Sequence, residues 1–198
     1  LQCGCAESLM DYEVIFSNMP LYIEGLWVTI QLVFFALVLG FLFALPIALL
    51  ATSRHPWIRL LPKSYIYFFR GTPLLVQMFM IYHGMGQFEL VRESFIWIVF
   101  KEAYWCALIA FALNTAGYTA EILRGTIEQT PYGEIEAARA CGMSKSTLYR
   151  RIILPGTFRR ALPAYGNEVI FMLHGSALAG VITICLLYTS DAADDLTR

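Results

Sequence analysis

An apolar run from Leu26 to Ala51 restricts this chain more than any other feature of its sequence. The few residues that interrupt it are Thr29, Gln31, Gly40 and Pro46. The run exceeds the roughly 20 residues that a helix needs to cross a bilayer, so it can tilt or kink near Pro46. Over the whole sequence 58% of residues are apolar and only 15% are charged, which excludes an ordinary soluble domain. We therefore predict an all-α membrane protein.

Three further stretches are apolar, so four spans are predicted at about 26–51, 64–88, 103–123 and 161–184. In the second span, Thr72-Pro73 is typical of a cap followed by a first helical residue. The apolar stretch after this pair is short for a full crossing. We therefore expect residues 64–70 to extend the second span as a helix.

Positive charge is concentrated in two connections, residues 52–70 and 124–160. The first contains four basic residues and no acidic one, and the second contains seven basic residues against three acidic ones. Residues 1–24 contain four acidic residues and no basic one. By the positive-inside rule both connections are cytoplasmic and the N-terminus lies outside. The sequence therefore predicts a multi-pass protein of a cytoplasmic membrane, with residues 1–24 as an outer-face segment.

The second of these connections contains a polar segment, residues 130–155, with strong helix-boundary signals. Thr130-Pro131 is typical of an N-cap followed by proline at the first helical position. Gly142 suits the left-handed position after a helix end, and Ser144 can cap a second short helix. Pro155 is expected where that second helix ends or changes direction. The segment is predicted to form two short helices joined at a glycine, a shape that fits a groove on another protein.

Three stretches of the sequence resemble one known family. The spacing of Glu136-Ala137-Ala138, Gly142 and Ile152-x-Leu154-Pro155 matches the EAA loop of ABC-importer permease subunits. Residues 69–77 (FRGTPLLVQ) and 161–168 (ALPAYGNE) resemble segments of the histidine, arginine and opine permeases, in the polar amino acid branch of that family. The resemblance covers about residues 25–184.

This resemblance implies a type I, MetI-like permease core in the inner membrane of a bacterium. It implies that the EAA loop is the coupling element, which docks on a cytoplasmic ABC ATPase. ATP and Mg²⁺ would be bound by that partner, and the chain itself would hold no cofactor. The other implied partners are a second permease subunit, identical or paralogous, and a periplasmic or lipid-anchored solute-binding protein. The residues assigned to coupling are Glu136, Ala137, Ala138, Gly142, Ile152, Leu154 and Pro155.

Polar side chains inside spans are costly and indicate functional sites. Asn114 and Glu121 share one face of the third span, while Glu168 and His174 lie in the fourth. Because carboxylates beside a path suit a cationic amino acid, we hypothesise that these four residues line a substrate path. In the alternative interpretation Asn114 and Asn167 tie helices together, and the two glutamates pair with Arg124, Arg159 or Arg160 at the inner rim.

Other function classes are less compatible with the sequence. It contains no P-loop, HExxH or GxSxG motif, its cysteines have no metal-ligand spacing, and its basic residues follow membrane topology and do not indicate nucleic acid binding. An ion-coupled secondary transporter, with Glu121 and Glu168 as proton carriers, remains open. An intramembrane enzyme is disfavoured because Glu168 lies about 120° round the helix from His174.

The C-terminal end changes character after residue 184. Residues 185–198 resemble translated vector or adapter sequence, and we expect them to be non-native. Permeases of this type are expected to carry a fifth span after this point. Four spans are therefore expected here, with the fifth missing.

Overall fold

The computed structural model describes residues 19–53, 55–84, 87 and 102–195, and within them all side chains except those of 21–22 and 178–195. Every regular element in these ranges is a helix, as expected for an all-α protein. The helices are α1 (Met19–Ala51), α2 (Pro56–Gly71), α3 (Leu74–Phe79), α4 (Ala103–Glu128), α5 (Tyr132–Ala140), α6 (Lys145–Leu148) and α7 (Leu154–Asp195). One π-helical turn extends α3 over Met80–Gly84, and another joins α6 to α7 over Tyr149–Ile153.

Several predicted boundaries differ from those of the helices. Two described segments are long and apolar enough to cross a membrane, Ile23–Ala51 and Ala103–Glu128, and Leu74–Gly84 is a shorter apolar helix. The third predicted span stopped at 123, whereas α4 continues to Glu128. The fourth was predicted over 161–184, whereas α7 is one helix over Leu154–Asp195, which includes most of the predicted non-native tail. Residues 1–18 lie outside the described part of the chain.

Helices α1 and α4 pack closely through small residues. On α1 the small residues recur every fourth position, at Ala36, Gly40, Ala44 and Ala48, and the three alanines are fully buried. A Cβ atom placed on Gly40 would lie only 2.7 Å from Cγ2 of Thr115 on α4. Such small-residue stripes let helix backbones approach in lipid, where dispersion contacts provide much of the association energy. This packing makes α4 the central helix, since its residues enter all three apolar clusters of the described fold.

The predicted second span, 64–88, is not one continuous helix. The chain leaves the helical conformation at Thr72 (φ −103°, ψ 136°) and Pro73 (φ −61°, ψ 137°), and α3 starts at Leu74. Pro73 is the cause, because the residue before a proline is driven into extended conformation and proline itself donates no hydrogen bond. Residues 64–70 are helical as expected, but they belong to α2, which ends before the break.

The polar segment 130–155 forms two short helices joined at a glycine, as predicted. Gly142 has φ +73°, and the amides of Gly142 and Met143 donate to the carbonyls of Arg139 and Ala138. This is the Schellman arrangement, in which a left-handed glycine ends a helix. Ser144 caps α6 by accepting a hydrogen bond from the amide of Thr147 at 3.3 Å.

Two details of that segment were predicted wrongly. Thr130 is not the cap of α5; Pro131 occupies the cap position, and the Thr130 hydroxyl accepts a hydrogen bond from Arg160 at 2.9 Å instead. Pro155 does not end the helical path, because the π-helical turn passes directly into α7 at Leu154. Within this continuous helical path Pro155 costs one backbone hydrogen bond, because proline has no N–H to donate.

The close approach of α1 to α4 is tested by Gly40→Ala. Because the added methyl would overlap the β-branched side chain of Thr115, we expect a loss of about 1–3 kcal/mol of stability. Thermal unfolding of the protein in detergent should show the lower melting temperature. Gly25→Ala is the matched control, since no atom lies within 4 Å of its added Cβ. Thr115→Ser should restore part of the loss, and an unchanged melting temperature for Gly40→Ala would contradict the packing.

Candidate functional site at a broken helix

The break between α2 and α3 is stabilised by one buried side chain, Gln77. Its amide nitrogen lies 2.9 Å from the carbonyl oxygen of Phe69, 3.0 Å from that of Thr72 and 2.6 Å from the Thr72 hydroxyl. Its amide oxygen accepts a hydrogen bond from Nδ2 of Asn114 at 3.2 Å. Gln77 is only 4% exposed. These bonds replace the helical hydrogen bonds that the break removes, which is essential in lipid because water cannot do so.

A cavity of about 560 Å³ lies beside this break, bounded by α2, α3, α4 and α7. Its walls combine apolar side chains with a few polar ones, which are Arg70, Asn114, Tyr118, Asn167 and Glu168. The volume falls within the roughly 300–1,000 Å³ range of small-molecule sites. Transporters place substrate sites beside discontinuous helices for the same reason, because irregular backbone at membrane depth is tolerated where it lines a cavity. We call this space the upper cavity.

Glu168 contributes a buried carboxylate to the upper cavity. The residue is 7% exposed, and no Lys, Arg or His within the described residues lies within 4.0 Å of its carboxylate. The predicted alternative, pairing with Arg159 or Arg160, is therefore wrong for Glu168. Arg160 turns to α4 and its following loop instead, where it donates to Thr130 Oγ1 and to the carbonyl oxygen of Thr126. A buried carboxylate without a cationic partner is unfavourable unless the group is protonated or another cation binds there.

Glu121 is placed differently from Glu168 although both are glutamates of predicted spans. It accepts two hydrogen bonds from Arg124, at 2.8 and 2.7 Å, and its carboxylate lies 3.7 Å from Arg70. Pairing with Arg124 is thus confirmed for this residue. The group lines a second cavity of about 300 Å³, together with Lys63, Arg70 and Arg124. We call this second space the lower cavity.

The structure brings together only part of the predicted substrate path. Asn114 and Glu168 both line the upper cavity, and Asn114 also ties helices together as the alternative held. Glu121 lies in the lower cavity. His174 is exposed and lines neither cavity, with its Nδ1 atom 2.8 Å from the carbonyl oxygen of Ile170. A role for His174 in a path stays a prediction.

Sequence reasoning missed four polar residues of this region as parts of the site, namely Arg70, Gln77, Tyr118 and Asn167. Arg70 and Gln77 were recognised only as part of the FRGTPLLVQ segment, and Tyr118 and Asn167 were not assigned to the substrate path. A signal was present, since Gln77 is a polar residue within an otherwise apolar run next to Thr72-Pro73. In lipid, that combination indicates a broken helix with a side chain that bonds to the freed carbonyls.

The residues assigned to coupling form a partly exposed surface. Glu136, Ala137, Gly142 and Pro155 are exposed, while Ile152 and Leu154 are half-buried. Ala138 is different, because it is 3% exposed and packs in the chain's own cluster with Ile127 and Leu148. The expectation that Ala138 offers a surface to another protein is therefore wrong for this residue. Ala137 alone of the alanine pair is open to contact.

Most of the chain matches the model of one known protein family. Residues 36–189 match the model of the family described as binding-protein-dependent transport system inner membrane component. The chain belongs to this family. The match extends past residue 184 to residue 189, and so includes the first five residues of the tail predicted to be non-native.

Two curated relatives lie in the same family branch as the resemblance. The chain is 51% identical over 162 residues to the octopine transport system permease protein OccM of Rhizobium radiobacter. The aligned residues make up 82% of this chain and 66% of that protein. The chain is also 44% identical over 161 residues to the histidine/lysine/arginine/ornithine transport system permease protein HisM of Escherichia coli K12, covering 81% and 68%. The matched part thus spans about two-thirds of each relative's length.

Two solved structures share the fold. One is the crystal structure of an amino acid ABC transporter with histidines, at a TM-score of 0.76 and 38% identity, covering 94% of this chain and 84% of that one. The other, an inward-facing form of the MetNI methionine ABC transporter, has a TM-score of 0.71 and 20% identity, covering 84% and 76%. The predicted MetI-like class is therefore confirmed. None of these comparisons favours an ion-coupled secondary transporter.

The clamp at the broken helix is tested by Gln77→Leu. This change keeps the approximate size of the side chain but leaves buried carbonyls unpaired, so we expect a loss of about 1–3 kcal/mol of stability. Thermal unfolding in detergent measures the loss. Gln129→Leu is the control, because Gln129 is exposed. A melting temperature for Gln77→Leu equal to that of the control would show that the break is stable without these bonds.

Proposed function

We propose that the chain is the transmembrane permease subunit of an ATP-driven, binding-protein-dependent importer of polar, basic amino acids. Membership of the family supports the class of transporter. The names of OccM and HisM refer to octopine and to histidine, lysine, arginine and ornithine as solutes of those proteins. The observation that carries the basic specificity is Glu168, whose buried carboxylate has no cationic partner within 4.0 Å among the described residues.

The upper cavity fits a solute with one cationic side chain. The Coulomb attraction between the Glu168 carboxylate and a solute cation would be strong in this low-dielectric cavity, and it would stabilise a charge that otherwise has no partner nearby. The neighbouring amides of Asn114 and Asn167 and the Tyr118 hydroxyl can donate to or accept from the polar groups of the solute. Glu168, Asn114 and Asn167 are therefore the proposed solute contacts. Glu121, already paired with Arg124, acts at the inner side of the path.

We propose that motion reaches this site through the exposed part of the segment 130–155. The partners are cytoplasmic ABC ATPase subunits that bind ATP and Mg²⁺, a second permease subunit and an external solute-binding protein. Glu136, Ala137 and Gly142 lie on an exposed surface, which suits docking into a groove. The buried side chains Ala138, Leu148 and Ile153 join this surface to Ile127 at the end of α4. Since α4 also carries Asn114, docking at the surface can shift the wall of the upper cavity. The protein would lie in a bacterial inner membrane with its N-terminus outside.

Specificity is tested by Glu168→Gln in the assembled transporter. Without the charge, arginine should lose at least about tenfold in apparent affinity, which corresponds to about 1.4 kcal/mol. Citrulline, a neutral amino acid of nearly the same shape, should be almost unaffected. Uptake of the two radiolabelled solutes into vesicles, at equal membrane abundance, gives the ratio. Glu24→Gln, an exposed carboxyl group, is the control. An unchanged arginine-to-citrulline ratio would remove Glu168 from the solute contacts.

Coupling is tested by Glu136→Lys. Reversing one exposed charge should weaken docking of the ATPase, and import should fall about tenfold or more if the contact is worth more than 1.4 kcal/mol. Membrane abundance should stay normal because Glu136 is exposed. Copurification of the ATPase and import measured together separate loss of docking from loss of folding. Glu24→Lys is the control, and normal import by Glu136→Lys would refute the coupling assignment.

A further inference from the structure

Among the residues that the structure describes, Arg70 is the one that lines both the upper and the lower cavity. It lies at the end of α2, directly before the break at Thr72–Pro73. The upper cavity contains Glu168, and the lower cavity contains Glu121. Because the Arg70 side chain borders both spaces, it is positioned to control movement of a solute between them.

The guanidinium group of Arg70 is held in this position by weak contacts. It lies 3.7 Å from Oε1 of Glu121 and 5.5 Å from the centre of the Tyr118 ring. By comparison, Arg124 lies 2.7 Å from the same carboxylate oxygen. The Arg70 side chain is 44% exposed, so its ion pair is of the weak, solvent-screened kind. Because Arg124 continues to satisfy Glu121, Arg70 can leave at little cost.

The lower cavity has an excess of positive charge. Its charged lining residues, among those that the structure describes, are Lys63, Arg70, Arg124 and Glu121, and Glu128 also pairs with Arg124 at 2.7 Å, so one net positive charge remains. A cationic solute is repelled by such a space, whereas a neutral solute of the same shape is not. In contrast, the upper cavity is lined by one arginine and one glutamate, which do not form an ion pair. Glu168 has no cationic group within 4.0 Å among the described residues.

We propose that Arg70 is an electrostatic gate between the two cavities, which resists leakage of a cationic solute while the transporter is at rest. This inference rests on the proposed function. Glu121 and the Tyr118 ring hold the guanidinium across the passage in the closed state. A cationic solute next to Glu168 repels Arg70, and the ATP-driven movement of α4 carries Glu121 away from it. Arg70 is a positioning residue here and binds no solute itself.

The gate is tested by efflux in the absence of ATP. The assembled transporter is reconstituted into vesicles preloaded with radiolabelled arginine or citrulline, and the rate of loss is measured. Arg70→Ala should raise arginine efflux by about fivefold, the effect expected for one partly exposed ion pair. Citrulline efflux should rise much less, because the barrier is one of charge. Arg70→Lys should stay near the wild-type rate for both solutes, and so should Arg59→Ala, which removes an exposed arginine of the same helix.

A second variant separates gating from folding. Glu121→Gln removes a negative charge from the lower cavity while Arg70 stays in place, so it should lower arginine efflux below the wild-type rate and leave citrulline efflux nearly unchanged, whereas a folding defect would raise both. Equal rises for arginine and citrulline in Arg70→Ala would identify a steric defect and overturn the gate. An efflux rate at the wild-type level would overturn it as well, provided that the wild type imports arginine with ATP. If the wild type imports neither solute, the proposed function fails and the gate fails with it.

Discussion

The hydrogen bonds of Gln77 are the interaction on which the rest of this structure depends. A break in a membrane helix exposes carbonyl groups that lipid cannot satisfy, and each unpaired group costs several kcal/mol. Here the side-chain amide of Gln77 bonds to the carbonyl oxygens of Phe69 and Thr72 before the break and to Asn114 on α4. The break can therefore exist at membrane depth. Without it there would be no irregular backbone for the upper cavity to form beside.

The clamp reaches Asn114 only because α4 is held in a fixed place. The small residues of α1 let α4 approach until an added methyl at Gly40 would overlap Thr115. From that position Asn114 of α4 reaches Gln77 at the break. Tyr118 of α4 reaches the end of α2, where its hydroxyl donates a hydrogen bond to the carbonyl oxygen of Arg70 at 3.5 Å. Apolar packing between two helices thus determines the geometry of a polar site formed by α2, α3, α4 and α7.

Features set by local chemistry were predictable from the sequence, and features set by tertiary contacts were not. The left-handed Gly142 and the Ser144 cap follow from the backbone needs of a helix end, so the two-helix form of segment 130–155 was foreseen. The apolar runs predicted the all-α class, and the described helices α1 and α4 overlap the first and third predicted spans. The break at Thr72–Pro73 was missed because a short apolar stretch was extended across a proline, where the preference of the preceding residue for extended backbone decides.

The candidate site shows the same division. Asn114, Glu121, Glu168 and His174 could all be identified as polar residues in spans, but their roles depend on which neighbours each one meets. Glu121 has an arginine three residues later on its own helix, a spacing that places the two side chains side by side. Glu168 has Arg159 and Arg160 earlier in α7, yet Arg160 is drawn to Thr130 by the fold of another segment. No local rule gives that outcome.

Glu121 and Glu168 differ in their cationic partners, so the two cavities differ in how strongly they favour a positive solute. Glu121 is neutralised by Arg124, whereas Glu168 remains without a close cation among the described side chains, so a positive solute is favoured in the upper cavity and disfavoured in the lower one. A difference of this sign raises a barrier to the passage of a cation from the upper to the lower cavity. The barrier slows this passage but does not fix the direction of net transport, which in the proposed importer would be driven by an ATPase coupled through α5 and α4.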